Sequence, residues 1–471
     1  MPEAVARDGF GVLEAGIGRR PRKAAINPVT GLYRGARGID PLHFFISHGV
    51  HADVVEFPSP FGKFFLVNEP SYIEHVLEGN WRNYPKSDFY KRVRTLFGEG
   101  LFELEGEEWK RKRLTMQPAF HRQAIERLGA VIAEQVDLSL RAWQDKDGAR
   151  LDITRPLMQM TINVISKALC AETMPGDMNR ITDALTIIMR EGESLLWSLA
   201  PGLHALPSPH RAKVRKALRT FDQAIYDLIR HRLADDSKHE DLLALLLAQK
   251  DHATGEPVSW QVLRDDLTTM IIAGHETTAT AIAWTCALLS KHPEVMRRAT
   301  AEVDTLLGGR PPTIQDLPKL QYVNRVVQEA LRLYPPFWTI SRRAEKPDRL
   351  GPYEIPAGAT LMLCPYVTHR NPRYWRNPEG FDPERFTEAE STGRPKYAYF
   401  PFGGGPRICL GRSLAMMEAE IYLAMLLQRY TFELSPLSRL DAEPMISLRP
   451  RHGLPMVIRR REAAAIANAA E

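Results

Sequence analysis

The sequence predicts a mainly helical chain with a minor β part, folded as a single large domain. Three observations lead there. Between about Pro70 and Val303, apolar residues recur at helical spacing in runs separated by turn clusters. After Pro335 prolines become frequent and short strand candidates appear, such as ATLMLCPYV (Ala359–Val367). No internal repeat, long low-complexity tract or composition shift divides the 471 residues.

Residues 1–40 read as a solvated N-terminal arm carrying the basic cluster Arg19, Arg20, Arg22 and Lys23. They lack the apolar segment of a signal peptide or membrane anchor, so a cytoplasmic protein without a stable membrane anchor is expected. The domain is expected to span 41–460. It opens with DVVEFPSPFGKFFLV (Asp53–Val67), two β-rich runs around Pro58, Pro60 and Gly62 that predict a hairpin. Helices follow, broken at ALPSPH (Ala205–His210), ADDSKHED (Ala234–Asp241) and DHATGEP (Asp251–Pro257). LTTMIIAGHETTATAIAWTCALLS (Leu267–Ser290) predicts a long buried helix. GRSLAMMEAEIYLAMLLQRY (Gly411–Tyr430) predicts the last one, with Leu414, Met417, Ile421, Met425 and Leu426 near helical spacing. Residues 461–471 read as a frayed tail.

Bulk charge narrows the function. With 62 basic and 57 acidic residues the net charge is +5, too mild to imply nucleic acid. A basic patch on one face would still attract an acidic protein. The four cysteines, Cys170, Cys286, Cys364 and Cys409, match neither a zinc ribbon nor a CxxC pair, and so few suit a reducing compartment.

Cys409 closes the glycine-rich stretch FPFGGGPRICLG (Phe400–Gly411), just before a helix. The stretch lacks the spacings of phosphate-binding glycine loops. A nucleophilic cysteine would need a histidine base brought in from elsewhere. A metal thiolate fits better: a helix N-terminus offers N–H groups and a positive dipole end that stabilise the thiolate. The glycines let the backbone lie against a large ligand. One thiolate cannot hold bare zinc or an iron–sulfur cluster, but it can serve a metal that brings its own equatorial ligands, as haem does. For an isolated Cys–Gly pair, a buried free thiol in a turn would be the simpler reading.

The surrounding letters decide it. Phe402, Gly405, Arg407, Cys409 and Gly411 match FxxGxRxCxG, which resembles the haem-ligand signature of the cytochrome P450 family. In the long helix, AGHET (Ala273–Thr277) breaks an apolar run with residues of poor helix propensity and resembles the family's AGx[DE]T motif. It is not a zinc HExxH, because Ala279 stands where the second histidine would be. Glu329 and Arg332 can pair at i, i+3, and FDPERF (Phe381–Phe386) supplies Arg385. GEEWKRKR (Gly106–Arg113) has the family's WxxxR in Trp109 and Arg113. The motifs stand in the family's order from Trp109 to Gly411, and no matched position departs from the pattern.

The resemblance implies a P450-like haem domain acting as a monooxygenase. It inserts one atom of O2 into a C–H bond of a lipophilic substrate such as a fatty acid, alkane, terpenoid or steroid. Haem b is the implied cofactor, with Cys409 as the iron ligand and Phe402, Gly411 and Ala273 against it. Arg407, Trp109, Arg113 and either Arg342 or, preferably, Arg343 are implied at the propionates. Thr277 and Glu276 are the implied catalytic alcohol and acid, and His275 packs or orients. Glu329, Arg332 and Arg385 form the structural network that holds the cysteine loop. Residues Phe89–Phe102, Ile272, Phe337, Trp338 and Ile340 are expected near the substrate, with LLWSLAPGLHALP (Leu195–Pro207) at the access lid. Electrons are expected from a ferredoxin or flavodoxin with its reductase, docking on Lys110, Arg111, Lys112 and Arg412. The alternatives are a peroxygenase or another P450-type oxidation, or a non-catalytic haem sensor.

Overall fold

Helices build the bulk of the molecule. The longer ones are α1 (Pro41–Gly49), α2 (Asp88–Phe97), α3 (Gly106–Met116), α4 (Arg122–Arg141), α5 (Thr154–Cys170), α6 (Met178–Trp197), α7 (Pro209–Ala234), α8 (Trp260–Lys291), α9 (Pro293–Leu307), α10 (Gln321–Leu333) and α11 (Arg412–Arg429). This computed structural model describes residues 22–23, 41–57, 62–197, 208–235, 237, 239–250, 254–436 and 438–461. Most of the expected N-terminal arm, the hairpin turn at 58–61, most of the lid segment Leu195–Pro207, residues 251–253 and the tail from 462 lie outside the described residues.

The strands are β1 (Arg22–Lys23), β2 (Val54–Phe57), β3 (Phe64–Val67), β4 (Arg150–Asp152), β5 (Ile340–Arg343), β6 (Asp348–Leu350), β7 (Tyr353–Ile355), β8 (Thr360–Leu363), β9 (Tyr430–Leu434), β10 (Ala442–Pro444), β11 (Leu448–Pro450) and β12 (Pro455–Arg460). The largest sheet has the order β1-β2-β3-β8-β5. The expected hairpin is its β2–β3 pair, with Val54 opposite Val67. Arg22 and Lys23 pair in parallel with Val55 and Glu56, so this part of the expected solvated arm is a sheet edge. The strand candidate at Ala359–Val367 is shorter than predicted, because Pro365 opens a short helix, Pro365–Thr368.

Helix α8 forms the axis of the helical core. It starts seven residues before the predicted boundary, where Ser259 caps it by accepting the Val262 N–H at 3.3 Å. Its faces pack on α5, α10 and α11, and most of its residues are buried. Gly274 allows the close approach to α5, since a Cβ there would run into Ile165. Among the described residues, no helix is long and apolar enough to cross a membrane.

Candidate active site

The stretch Phe400–Gly411 folds as a tight bend rather than a regular element. Gly403 and Gly405 take φ values of 71° and 62°, where side chains are disfavoured, and a Cβ on Gly405 would strike the Leu77 carbonyl. The Cys409 N–H donates to the Phe402 carbonyl at 3.0 Å, and α11 begins three residues later. Cys409 is exposed, but its surface faces an internal cavity of about 290 Å³. Desolvation raises the thiol pKa. The N–H groups of Gly411 and Arg412 and the guanidinium groups of Arg113 and Arg412 oppose that rise by favouring the thiolate.

A buried charged network is hydrogen-bonded to this loop through His369. Glu329 and Arg332 of α10 have no solvent exposure and pair through two 2.7 Å hydrogen bonds. Arg332 also donates to the carbonyls of His369 (2.9 Å), Pro378 (2.6 Å) and Gly380 (2.8 Å). Arg385 donates to Glu329 at 3.3 Å and to the Asn377 carbonyl at 2.8 Å. His369 links the network to the loop: Nδ1 lies 3.2 Å from the Arg332 carbonyl, and Nε2 accepts the Phe400 N–H at 2.9 Å. These contacts require the neutral ring, and burial holds its pKa well below the ordinary value.

Across the cavity from the loop runs α8, presenting Thr269, Met270, Ala273, Gly274, Thr277 and Ala281. Thr277 Oγ1 donates to the Ala273 carbonyl at 2.6 Å, a back-bond that loosens the helix there. Glu276 is 2% exposed and does not reach the cavity. Its Oε1 accepts from Ser447 Oγ at 2.7 Å and lies 4.0 Å from Arg449 Nη1, while Oε2 has no partner. Burial raises the Glu276 pKa, and Arg449 and Ser447 partly offset this. His275 is also buried, neither ring nitrogen has a partner, and desolvation lowers its pKa to about 4. It packs as a neutral ring.

The third wall is cationic. Arg113 lines the cavity and donates to the Ile408 carbonyl at 2.9 Å, and Trp109 lies beside it. Arg407 bonds Glu105 at 2.6 Å and the Trp81 carbonyl at 3.0 Å, and its guanidinium lies over the Trp81 and Trp109 rings. Phe402 and Gly411 also line the space. The expectation for Arg343 is corrected. In β5 alternate residues share a face, so Ile340 and Arg342 turn inward while Arg343 is exposed and pairs with Asp88 at 2.5 Å. Arg342 is 5% exposed. The Nε groups of Arg342 and Arg407 are buried without hydrogen-bond partners.

Sequence reasoning missed Lys86. It forms an isolated bridge with Arg342, lines the cavity, and donates to the carbonyls of Leu101 (3.0 Å) and Leu104 (2.7 Å). Burial lowers its pKa to about 7; Glu105 opposes that, and Arg342 and Arg407 add to it. No local motif marks Lys86, because its neighbour comes from a distant strand.

Other expectations need adjustment. Tyr90, Leu101, Phe102, Phe337 and Ile340 line the cavity as apolar walls, with Phe102 and Phe337 edge to face at 5.9 Å. Trp338 does not: its indole donates to the Met445 carbonyl at 2.8 Å and its ring packs near Phe45. Ile272 is buried in the helical core, turned off the Ala273–Thr277 face. Lys112 is not a free docking cation, because it pairs with the buried Asp266 at 2.5 Å. Lys110, Arg111 and Arg412 are exposed. The cavity therefore joins one thiol, apolar walls and cations with unused N–H groups. That donor set fits a flat apolar cofactor bearing carboxylates and a metal with one position for a thiolate, which is haem.

Comparison with known proteins agrees. The family model described as Cytochrome P450 matches residues 51–454. A putative cytochrome P450 132 from Mycobacterium tuberculosis is 33% identical over 442 residues, covering 90% of this chain and 94% of the relative. The cyclooctat-9-en-7-ol 5-monooxygenase of Streptomyces melanosporofaciens is 32% identical over 393 residues, covering 83% and 84%. The crystal structure of a cytochrome P450DA mutant heme domain superposes with a TM-score of 0.84 at 25% identity, covering 95% of this chain and 99% of that one.

Proposed function

Because the chain belongs to the cytochrome P450 family and is one of its monooxygenases, we propose that it inserts one atom of O2 into a C–H bond of a lipophilic small molecule. The observation that carries this reading is the placing of Cys409 and Thr277 on one apolar-walled cavity. When bound, haem b would supply the oxygen-activating chemistry, with Cys409 as its thiolate ligand.

The chain's own residues divide the remaining work. Arg113, Arg342, Arg407 and Trp109, with Lys86, form the pocket for the cofactor's carboxylates, and the spare Nε groups of Arg342 and Arg407 support that role. Phe402, Gly411 and Ala273 bound the flat space. Tyr90, Phe102, Phe337 and Ile340 exclude water and hold an apolar substrate. Thr277 can pass a proton from Oγ1 into the cavity, and Glu276 can replenish it from the side of Ser447 and Arg449.

Fatty acids, alkanes, terpenoids and steroids all suit such walls. The relative acting on cyclooctat-9-en-7-ol favours a cyclic terpenoid-like skeleton. A ferredoxin or flavodoxin with its reductase would supply electrons. The exposed Lys110, Arg111 and Arg412 suit an acidic carrier. Charge reversal at Lys110 and Arg111 then slows reduction by the carrier at low salt, and unchanged reduction kinetics would remove this surface. The four free cysteines fit the cytoplasm.

Turnover under isotopically labelled O2 with a surrogate ferredoxin system tests the reaction. One labelled oxygen per product is expected. Label-free product formed only with added peroxide would favour the peroxygenase alternative, and haem binding without any product from a lipophile panel would favour the sensor.

A further inference from the structure

A second cavity, of about 380 Å³, lies between α5, α6, α8 and the segment Arg449–Gly453, and shares no wall residue with the one that Cys409 faces. Its walls mix apolar and charged side chains, with arginines in excess. Four arginines face two aspartates, and both aspartates are already engaged. Asp183 pairs with Arg155 at 3.1 Å. Asp152 accepts from the Thr154 hydroxyl (2.7 Å) and from the N–H groups of Thr154 (3.1 Å) and Leu454 (2.9 Å).

Of the other three arginines, two lack a carboxylate partner and the third keeps an open donor. Arg190 and Arg451 are exposed on the rim and pair with no carboxylate among the described residues. Arg449 is 7% exposed; its Nε reaches Glu443 at 3.2 Å and its Nη2 has no partner. Thr280 lines the same wall with a buried, unpartnered hydroxyl. Buried donors left open are costly unless a ligand or water meets them. Arginines converging on one cavity match the two-oxygen edge of a carboxylate or phosphate.

We propose that this cavity binds a compact oxyanion, a carboxylate or phosphate group, through Arg190, Arg449 and Arg451, and that its occupancy acts on Glu276 through Arg449. The guanidinium of Arg449 stands between the cavity and Glu276, 4.0 Å from Oε1. An anion competes with Glu276 for that guanidinium and loosens its hold on the carboxyl group. The coupling rests on the catalytic reading of Glu276, whereas the binding does not.

Calorimetric titration of the purified protein with inorganic phosphate and with acetate, at constant ionic strength set by sodium chloride, tests the site. Saturable binding of at least one probe is expected, weakened at least tenfold in Arg190→Met/Arg451→Met. Both side chains are exposed, so this variant keeps the fold, which circular dichroism checks. Binding of phosphate alone would assign a phosphate-bearing ligand, and binding of acetate as well would assign carboxylates too. No saturable heat from either probe, or undiminished binding in the double variant, overturns the site. In the haem-loaded protein turning over with O2 and a reduced surrogate ferredoxin system, saturating probe should change peroxide release at least twofold, and Glu276→Gln should abolish that response. Unchanged peroxide release in the parent protein overturns the coupling and leaves the site itself standing.

Discussion

The Glu329–Arg332–Arg385 network and the centre of α8 lie at similar depth, yet the fold treats their polar groups in opposite ways. In the network every guanidinium nitrogen and both carboxylate oxygens have partners, and none of its side-chain nitrogens or oxygens is left open. In α8, Thr268, His275, Glu276 and Thr280 each keep at least one buried polar atom without a partner. A saturated cluster is rigid and suits holding the cysteine loop through His369 and Phe400. An open cluster costs stability and persists where its groups have other work. The contrast separates scaffold from machinery among residues of the same chemical kinds.

The largest effect is expected where saturation is complete. Glu329→Ala strands two arginines and should cost about 3–5 kcal/mol, read from the urea midpoint, with loss of haem retention. A loss below about 1 kcal/mol would mean that the network does not brace the loop. At the open cluster the expected effect is on chemistry rather than stability. Thr277→Ala should cut product formed per electron by at least about tenfold and raise peroxide release, with little change in melting temperature. Equal coupling in both proteins would remove Thr277 from the proton path.

The cationic wall gives an internal control. Arg342→Met should speed haem transfer to apomyoglobin by about tenfold, as befits the loss of a charge-assisted contact. Arg343→Met breaks only an exposed pair with Asp88, worth about 0–1 kcal/mol, and should leave transfer unchanged. The reverse ranking would restore Arg343 as the carboxylate partner. The smallest effect follows from Glu276. Its folded pKa is raised above the ordinary 4.5, so the unfolded chain gives up that proton first as pH rises. The group therefore lowers stability progressively from about pH 4.5 up to its folded pKa. Glu276→Gln should gain stability relative to the parent at pH 8 compared with pH 5, in paired denaturation curves. A parallel pH dependence would show that the carboxyl is not desolvated.

The two regions also differ in how much of them the sequence made legible. Cys409, Arg407 and the glycines lie within one short window, and Glu329 and Arg332 within one helical turn, so local spacing revealed them. The facing of Arg342 was legible too, since strand alternation puts it on the side of Ile340, whereas the motif alone leaves both arginines open and favours Arg343. Ile272 fails similarly, one residue off the helical face of Ala273 and Thr277. Lys86, Ser447 and Arg449 were not legible, because tertiary packing alone brings them to Arg342 or Glu276. Trp338 looked like an apolar wall, and only the fold reveals its bond to Met445. Local motifs mark what chemistry requires, and the groups that tune it arrive from distant segments.

The central claim is that Cys409 is the thiolate ligand of a haem. The most direct measurement is the absorption spectrum of the reduced, CO-bound protein beside its Cys409→Ser variant. A strongly red-shifted Soret band in the parent protein, absent from the variant, is the predicted result. A Soret band at the position of histidine ligation, unchanged by the substitution, would contradict it.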